Sequence, residues 1–125
     1  MHVKRVITCA AILFAETPML AAEASAQGAP PREFGMCKVC HKTTEKAPSA
    51  IGPTLWRVAG RKAGTVPDYR YSPAMKQSGL TWDRQTLTAF IAKPRTVIPG
   101  TKMAYAGTSD PKAAAAMVDY MLGLK

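Results

Sequence analysis

The clearest pattern of apolar and polar positions lies near the carboxyl end of the chain. Met117, Tyr120 and Met121 stand at positions i, i+3 and i+4, so they share one face of a helix. The dipeptide Asp110-Pro111 precedes them, and it places a capping side chain before a proline suited to the first helical position. The pattern therefore predicts a helix over residues 111–122 with one apolar face.

Start and stop signals predict three further helices. Pro31 is suited to the first turn of a helix over residues 32–40, because its missing N–H costs nothing there. A serine–proline pair opens a short helix over residues 73–79, and a longer helix over residues 84–92 is stopped by Pro94. No strand pattern and no internal repeat is evident.

Proline and glycine interrupt residues 42–72 and 93–109, and both segments are therefore predicted to be loops. Loops of this length usually argue against a compact fold in so small a domain. A large apolar cofactor at the centre would resolve the conflict. The loops could wrap around it, and its surface would supply the core that the side chains lack.

Residues 1–26 have the pattern of a secretory signal peptide. Two basic residues precede an apolar run over residues 6–15, which is too short to cross a bilayer as a helix. Ala24-Ser25-Ala26 then offers small residues to a signal peptidase, and cleavage after Ala22 or Ala24 is an alternative. An uncleaved membrane anchor is the competing interpretation. Cleavage predicts export to the periplasm.

The predicted mature chain, residues 27–125, is one domain of 99 residues with 15 basic and 6 acidic side chains. Its net charge of +9 favours partners with acidic surfaces. Basic domains often bind nucleic acid, but export and the lack of a nucleic-acid motif in the sequence argue against that class. Two cysteines and one histidine remain after cleavage, and all three lie within five residues.

Those residues form the segment Cys37-Lys38-Val39-Cys40-His41, which has the spacing of a haem c attachment motif. On a helical segment both sulfurs can reach the two vinyl groups on one porphyrin edge, and the histidine then falls under the iron. A redox disulfide and half of a zinc site are the alternatives. The disulfide motif is typical of a βαβ context, and a zinc site needs more Cys or His ligands than the mature chain contains. We therefore predict one covalently attached haem c, with His41 as an iron ligand.

The second axial ligand is predicted to be a methionine, because no second histidine remains and a thioether is a known haem ligand. The methionines of the mature chain are Met36, Met75, Met103, Met117 and Met121. Met36 adjoins the first cysteine and cannot reach the far face of the haem, and the two in the last helix suit core packing. Met103 follows the turn at residues 99–100, where its side chain is free to point inward. Met103 is the predicted ligand, with Met75, a lysine or an open site as alternatives.

Taken together, the chain resembles class I cytochrome c, the family of mitochondrial and bacterial electron carriers. The resemblance rests on Cys37 to His41, Gly52-Pro53-Thr54-Leu55, Gly60-Arg61-Lys62-Ala63-Gly64, Gly79-Leu80-Thr81-Trp82 and the segment from Pro99 to Gly107. It implies the all-α cytochrome c fold, with short helices and long loops wrapped around one covalently bound haem. It also implies that the first and last helices cross, with Phe34 and Tyr120 in contact.

The resemblance assigns further residues to a haem pocket. It implies that the carbonyl of Pro53 accepts a hydrogen bond from the His41 ring and fixes its orientation. The residues that match positions near the haem propionates are Arg61, Tyr71, Ser72 and Trp82. Thr101 matches a position that is near the propionates and also near the loop that carries the predicted methionine ligand. Leu55 and Ile91 match positions that pack against the haem.

The chain also departs from the family pattern at several positions. Trp56-Arg57 stands where the family has His-Gly. Phe90 stands where many members have a tyrosine, and Met75 stands where many have an asparagine. The family's ring of lysines around the haem edge is partly kept, because Arg95 and Lys102 match it while Met36 interrupts it.

The function expected from these features is that of a soluble periplasmic monohaem c-type cytochrome, which transfers single electrons between redox partners. His41 and Met103 would fill both axial positions, so we expect no enzyme activity. The expected partners are acidic-surfaced redox proteins, without nucleic acid, and the expected state is a monomer. One alternative is a haem subunit or accessory of a redox enzyme complex such as a dehydrogenase. Another is a peroxidase or ligand sensor with an open sixth position.

Overall fold

Residues 28–125 are described by a computed structural model of the protein, and this part of the chain forms five short α-helices. Helix α1 spans Gly35–Cys40 and continues a 3₁₀ turn over Arg32–Phe34. The other helices are α2 (Pro73–Gln77), α3 (Arg84–Ala92), α4 (Pro94–Val97) and α5 (Pro111–Leu122). Residues 28–125 contain no strand beyond an isolated bridge between Lys62 and Thr81, so the all-α prediction is confirmed. The predicted signal peptide, residues 1–26, lies outside the described residues.

Side-chain caps explain why α3 and α5 begin where the sequence predicts. Asp83 accepts a hydrogen bond from the backbone N–H of Thr86 at 2.8 Å, and the Thr86 hydroxyl accepts one from the Asp83 N–H at 2.9 Å. Asp110 accepts from the Lys112 N–H at 2.9 Å. These bonds satisfy N–H groups that would lack partners in the first helical turn.

Two of the helix predictions need correction at prolines. Pro31 lies outside the first helix, with φ −62° and ψ 153°, and its carbonyl accepts from the Phe34 N–H to close the 3₁₀ turn. Residues 94–97 were expected to be loop but are helical. Pro94 ends α3 and also fills the first position of α4, where its ring and fixed φ are tolerated. Lys93, with φ −148° and ψ 74°, is not helical and separates the two helices.

The core lies where α3 and α5 pack together and the amino-terminal turn joins them. The rings of Phe34 and Tyr120 meet edge to face with centroids 4.7 Å apart, which confirms the predicted contact between the two ends of the chain. Met117 and Val118 on α5 are fully buried. Arg84 on α3 and Asp119 on α5 form an ion pair, but both side chains are more than half exposed, so it adds little stability.

The long loops are fixed to this helical core by backbone hydrogen bonds. The Gly60 N–H donates to the Trp82 carbonyl at 2.7 Å, and the Trp82 N–H donates to the Arg61 carbonyl at 2.9 Å. These bonds hold residues 60–63 against the segment that leads into α3. Across residues 28–125, no helix has both the length and the apolar character needed to cross a membrane.

Arg57 has an unusual backbone conformation, with φ +53°. This is the left-handed region, where the side chain of an L-residue crowds the following carbonyl and costs roughly 1–2 kcal/mol. The family resemblance places a glycine at this position. The conformation is held by the Arg57 N–H, which donates to the Leu124 carbonyl at 2.9 Å and ties the loop to the carboxyl end.

We predict that Arg57→Gly stabilises the protein by about 0.5–1 kcal/mol, since relief of the left-handed strain exceeds the extra entropy of glycine in the unfolded chain. Arg57→Ala is the matched control, because it also removes the charge but keeps a Cβ atom. Denaturant unfolding of the mature protein measures both variants. An Arg57→Gly variant less stable than Arg57→Ala by the entropy cost of glycine, about 0.5–1 kcal/mol, would show that the backbone conformation carries no strain.

Candidate functional site

The ten residues predicted to form the site all line the same pocket between α1, the loops and the start of α3. They are Cys37, Cys40, His41, Pro53, Arg61, Tyr71, Ser72, Trp82, Thr101 and Met103. The space between the lining atoms, including the mouth open to solvent, is about 1020 Å³. Leu55 also lines it, whereas Ile91 is buried in the helical core outside the lining. Residues far apart in the sequence are therefore brought to one place.

Helix α1 supplies the two cysteines. Cys37 and Cys40 are three residues apart, so they lie on the same face of α1, and both are half-buried in the pocket wall as free thiols. Burial raises the pKa of the Cys37 thiol, and the neighbouring Cys40 adds to the effect against an opposing backbone hydrogen bond. Reactive disulfide motifs have lowered thiol pKa values, so the environment of Cys37 is unlike that of a disulfide oxidoreductase.

The His41 ring follows directly at the end of α1 and is held from outside the helix. Its Nδ1–H donates to the Pro53 carbonyl at 2.7 Å, the hydrogen bond that the family resemblance implied. Because a carbonyl can only accept, Nδ1 carries the proton and Nε2 keeps its lone pair. Burial lowers the pKa of His41, and the positive charge of Arg61 lowers it further, while the bond to Pro53 opposes both. The ring is therefore neutral at pH 7, the form in which imidazole binds metals.

Gly52 lies against the His41 ring with no room for a side chain. A Cβ atom on Gly52 would lie 2.5 Å from Cε1 and 2.7 Å from Nδ1 of His41. The Gly52 N–H also donates to the Cys40 carbonyl at 2.8 Å, so the loop is fixed to the end of α1. The glycine of the Gly-Pro element is thus required by close approach.

Ser49 and Asp68 connect this loop to the next one. The Ser49 N–H and hydroxyl donate to the two Asp68 carboxylate oxygens at 2.7 and 2.8 Å, and the Ser49 hydroxyl accepts from the Thr54 N–H at 3.1 Å. The Tyr69 hydroxyl donates to the Ile51 carbonyl at 3.0 Å. These bonds brace residues 49–54, which include both groups that hold the His41 ring.

Three methionines line the pocket, and they differ in how they are held. Met75 lies in α2 and is buried, with its N–H donating to the Ser72 hydroxyl at 3.1 Å. Met121 belongs to the packed face of α5. Met103 lies in an irregular segment and is half-buried, with its N–H donating to the Thr101 hydroxyl at 3.3 Å. The structure thus brings two of the candidate sulfur ligands, Met75 and Met103, to the same pocket.

Polar groups are concentrated on one wall of the pocket. The Arg61 guanidinium donates to the carbonyls of Trp56 at 3.0 Å and Thr54 at 2.7 Å. Burial lowers the pKa of Arg61, but from so high a value that the group stays charged at neutral pH. Burial raises the pKa of the Tyr71 phenol, which keeps it neutral. No residue among 28–125 accepts a side-chain hydrogen bond from the indole N–H of buried Trp82. This wall suits a ligand with carboxylates along one edge.

Sequence reasoning missed several lining residues. These are Tyr69, Ile51 and Ala104. Lys102, which the resemblance placed only at the haem edge, lines the pocket with them. Lys102 and Ala104 flank Met103, and Tyr69 is two positions from Tyr71. Their nearness in the sequence to predicted site residues could have identified them as lining residues. Met121 was assigned to core packing, and it contributes to the core and to the pocket lining.

A helical fold whose pocket combines two cysteines, a neutral histidine and a cationic wall defines a c-type cytochrome. No family model matches the chain. Cytochrome c2 iso-2 of Magnetospirillum fulvum is 48% identical over 94 residues, which are 75% of this chain and 97% of that protein. Cytochrome c2 of Rhodomicrobium vannielii is 42% identical over 88 residues, 70% of each chain. The solved structure of cytochrome cH from Methylobacterium extorquens matches with a TM-score of 0.66 and 44% identity, covering 71% of this chain and 89% of that one.

The chain therefore belongs to the class I cytochrome c family. It binds one covalently attached haem c and is an electron carrier, not an enzyme. The residues fit that group: the two thiols line the pocket from one helix, and the Nε2 lone pair of His41 has no hydrogen-bond partner among residues 28–125.

We predict that Gly52→Ala displaces the His41 ring, because the new methyl group would overlap it. Most of the protein should lose its low-spin optical spectrum or fail to mature. Gly35→Ala is the matched control, since a Cβ at that helical position meets nothing within 4 Å. Optical spectra and haem staining of denatured protein measure the two effects separately. A native spectrum for Gly52→Ala would refute the close-approach requirement.

A second prediction concerns acid stability. The N–H and hydroxyl of Ser49 hold the pKa of Asp68 below its ordinary value, so the carboxylate stabilises the folded state. That contribution is complete above the ordinary aspartate pKa of about 3.9 and is lost as the pH falls through the lower folded value. Asp68→Asn should therefore be less stable than the native protein at pH 7, and the two should converge in strong acid.

Urea midpoints measured across the pH range test this expectation. Ser49→Ala supplies the control, because it removes the hydroxyl donor but keeps the Ser49 N–H, so Asp68→Asn should destabilise that variant by less than it destabilises the native protein. A constant difference between native protein and Asp68→Asn down to the lowest pH would contradict the assigned hydrogen bonds.

Proposed function

We propose that the protein is a periplasmic carrier of single electrons whose haem iron is ligated by His41 and Met103. The observation that carries the proposal is the pocket itself. It is lined by both cysteines, by a His41 ring with Nδ1 already engaged by Pro53, and by the Met103 thioether. Haem c, when bound, supplies a one-electron couple between ferric and ferrous iron.

Met103 is favoured over Met75 by the way each is held. Met103 lies in a segment without helical bonds and is half-buried, so its sulfur can adjust to a metal at little cost. Met75 is fixed in a capped helix and is buried in the core cluster. A thioether ligand raises the reduction potential, and the apolar groups around it, among them Leu87 and Phe90, oppose additional positive charge.

The polar wall has a separate role in this proposal. Arg61, Tyr71, Ser72, Trp82 and Thr101 would hold the two propionates of haem c. The buried, charged Arg61 supplies the counter-charge, and the indole N–H of Trp82 supplies a donor without a partner among residues 28–125. With His41 and Met103 both bound to the iron, no site on it would be open to a substrate.

The sequence supports the proposed location and partners. The signal pattern over residues 1–26 supports export to the periplasm, with residues 27–125 as the mature domain. The net charge of +9 supports transient encounters of a monomer with acidic-surfaced donors and acceptors.

We predict that Met103→Leu abolishes the weak ferric absorption band of the sulfur–iron bond and opens the iron to added imidazole. Covalent haem should remain, because the attachment residues are unchanged. Met75→Leu is the control, since it also replaces a sulfur by a side chain of similar volume and should keep the band. The assignment fails if Met103→Leu keeps the band while Met75→Leu loses it. If neither variant matters, the ligand is not one of these methionines.

A further inference from the structure

The five methionines of residues 28–125 differ in how far solvent reaches their sulfur atoms. Met36 has an exposed fraction of 69%, and Met103 is half-buried in the pocket. The other three are buried in the core with exposed fractions of 9% or less, and they are Met75, Met117 and Met121. Within residues 28–125, Met36 is therefore the one methionine that solvent reaches freely.

The Met36 side chain has no packing role that would explain it. It lies on α1 directly before Cys37, but it neither lines the pocket nor packs against the core. The adjoining surface is open, because a Cβ atom on Gly35 would meet nothing within 4 Å. Methionine usually fills gaps between apolar side chains, and the family resemblance implies a lysine at this position. The thioether of Met36 is thus free to react.

An exposed thioether reacts with hydroperoxides by transfer of one oxygen atom. A sulfur lone pair attacks the terminal oxygen of the hydroperoxide, and the S–O bond forms as the O–O bond breaks. The proton of that oxygen moves to the leaving oxygen, so the products are a sulfoxide and water or an alcohol. Sulfur loses two electrons and the hydroperoxide gains them. In the reverse direction, two thiols reduce the sulfoxide to the thioether and form a disulfide and water.

The other sulfur atoms of residues 28–125 are shielded from this reaction. The core methionines are out of contact with solvent, and the sulfurs of Cys37 and Cys40 are half-buried in the pocket wall. Met103 is half-buried too, and in the proposed function its lone pair is bound to iron. Because oxidation of sulfur follows its exposure, Met36 should react first.

We propose that Met36 is a reversible oxidation site, which takes one oxygen atom from a hydroperoxide and is restored by a thiol-dependent methionine sulfoxide reductase. Oxidation replaces an apolar side chain by a polar one directly before the first attachment cysteine. Because Met36 does not line the pocket, the haem and its ligands stay in place. The inference does not depend on which residue is the second axial ligand.

The test exposes mature ferric holoprotein to hydrogen peroxide labelled with heavy oxygen, followed by digestion and mass spectrometry of each methionine-containing peptide. Met36 should gain one labelled oxygen atom. The ratio of exposed fractions, 69% to at most 9%, gives an expected rate at least about sevenfold higher than that of any core methionine. The optical spectrum and the covalent haem should be unchanged when half of Met36 has reacted.

Two variants test whether exposure sets the rate. Met36→Leu keeps a similar volume but removes the sulfur, so its holoprotein should take up no oxygen during the same period. Adding Ala115→Met to that variant places a thioether at an exposed position of α5 outside the pocket lining. Uptake should return at a rate close to that of Met36. Reductases specific for the two sulfoxide epimers, supplied together with a thiol, should return Met36 in the native protein to its original mass.

Several results would overturn the inference. Oxidation of any other methionine before Met36, or loss of the optical spectrum before Met36 has reacted, would show that exposure does not select the site. Unlabelled oxygen on Met36 would show that the oxygen does not come directly from the peroxide. A Met36 sulfoxide that resists both reductases would refute reversibility.

Discussion

The hydrogen bond from the His41 ring to the Pro53 carbonyl is the constraint on which the arrangement of the site depends. It joins the end of α1 to a loop that has no helical bonds of its own, and it fixes the proton on Nδ1. Gly52 allows the loop to come this close, because its Cα lies where a side chain would strike the ring. The positions of both cysteines relative to Pro53 follow from the same contact. A change that moves the loop therefore moves the histidine, even when the attachment motif is intact.

The loops around the pocket obtain their order from bonds that span many residues. Asp68 braces the loop behind His41 from 19 positions away in the sequence, and the Arg61 guanidinium holds two carbonyls of the loop that precedes it. Helices α3 and α5 pack together, with Phe34 and Tyr120 at their junction with the amino-terminal turn. The loops add buried Val58, Ala63 and Ile98 to the same core. A domain with long loops therefore stays ordered because its loops contribute apolar side chains to the core and are also held by side-chain and backbone hydrogen bonds.

Local sequence signals predicted those features that depend on local interactions. Asp83 and Asp110 mark the starts of α3 and α5 because their carboxylates cap the first turn within three residues. Pro94 misled the prediction because a proline can end one helix and begin the next, and only the observed backbone of Lys93 distinguishes these cases. The Ser49–Asp68 link could not be predicted, since any of several exposed polar residues might have supplied it. The positions of the ten site residues were predictable through the family resemblance, because spacing alone identified only the cysteines, the histidine and a set of candidate methionines.

The departures from the family pattern make the chain more apolar at two places that act on the same pocket. Inside, Phe90 and Met75 line the wall where the resemblance implies a hydroxyl and an amide, so polarity is confined to the wall that contains Arg61. Outside, Met36 stands where the resemblance implies a lysine, and it lies on the surface next to the first cysteine. A low-dielectric interior strengthens the electric field of a charge within it. The positive charge of Arg61 in the pocket wall accordingly lowers the pKa of His41. Burial of the His41 ring nevertheless lowers its pKa more than the positive charge of Arg61 does, so the dry environment of the ring is the main reason that it is neutral.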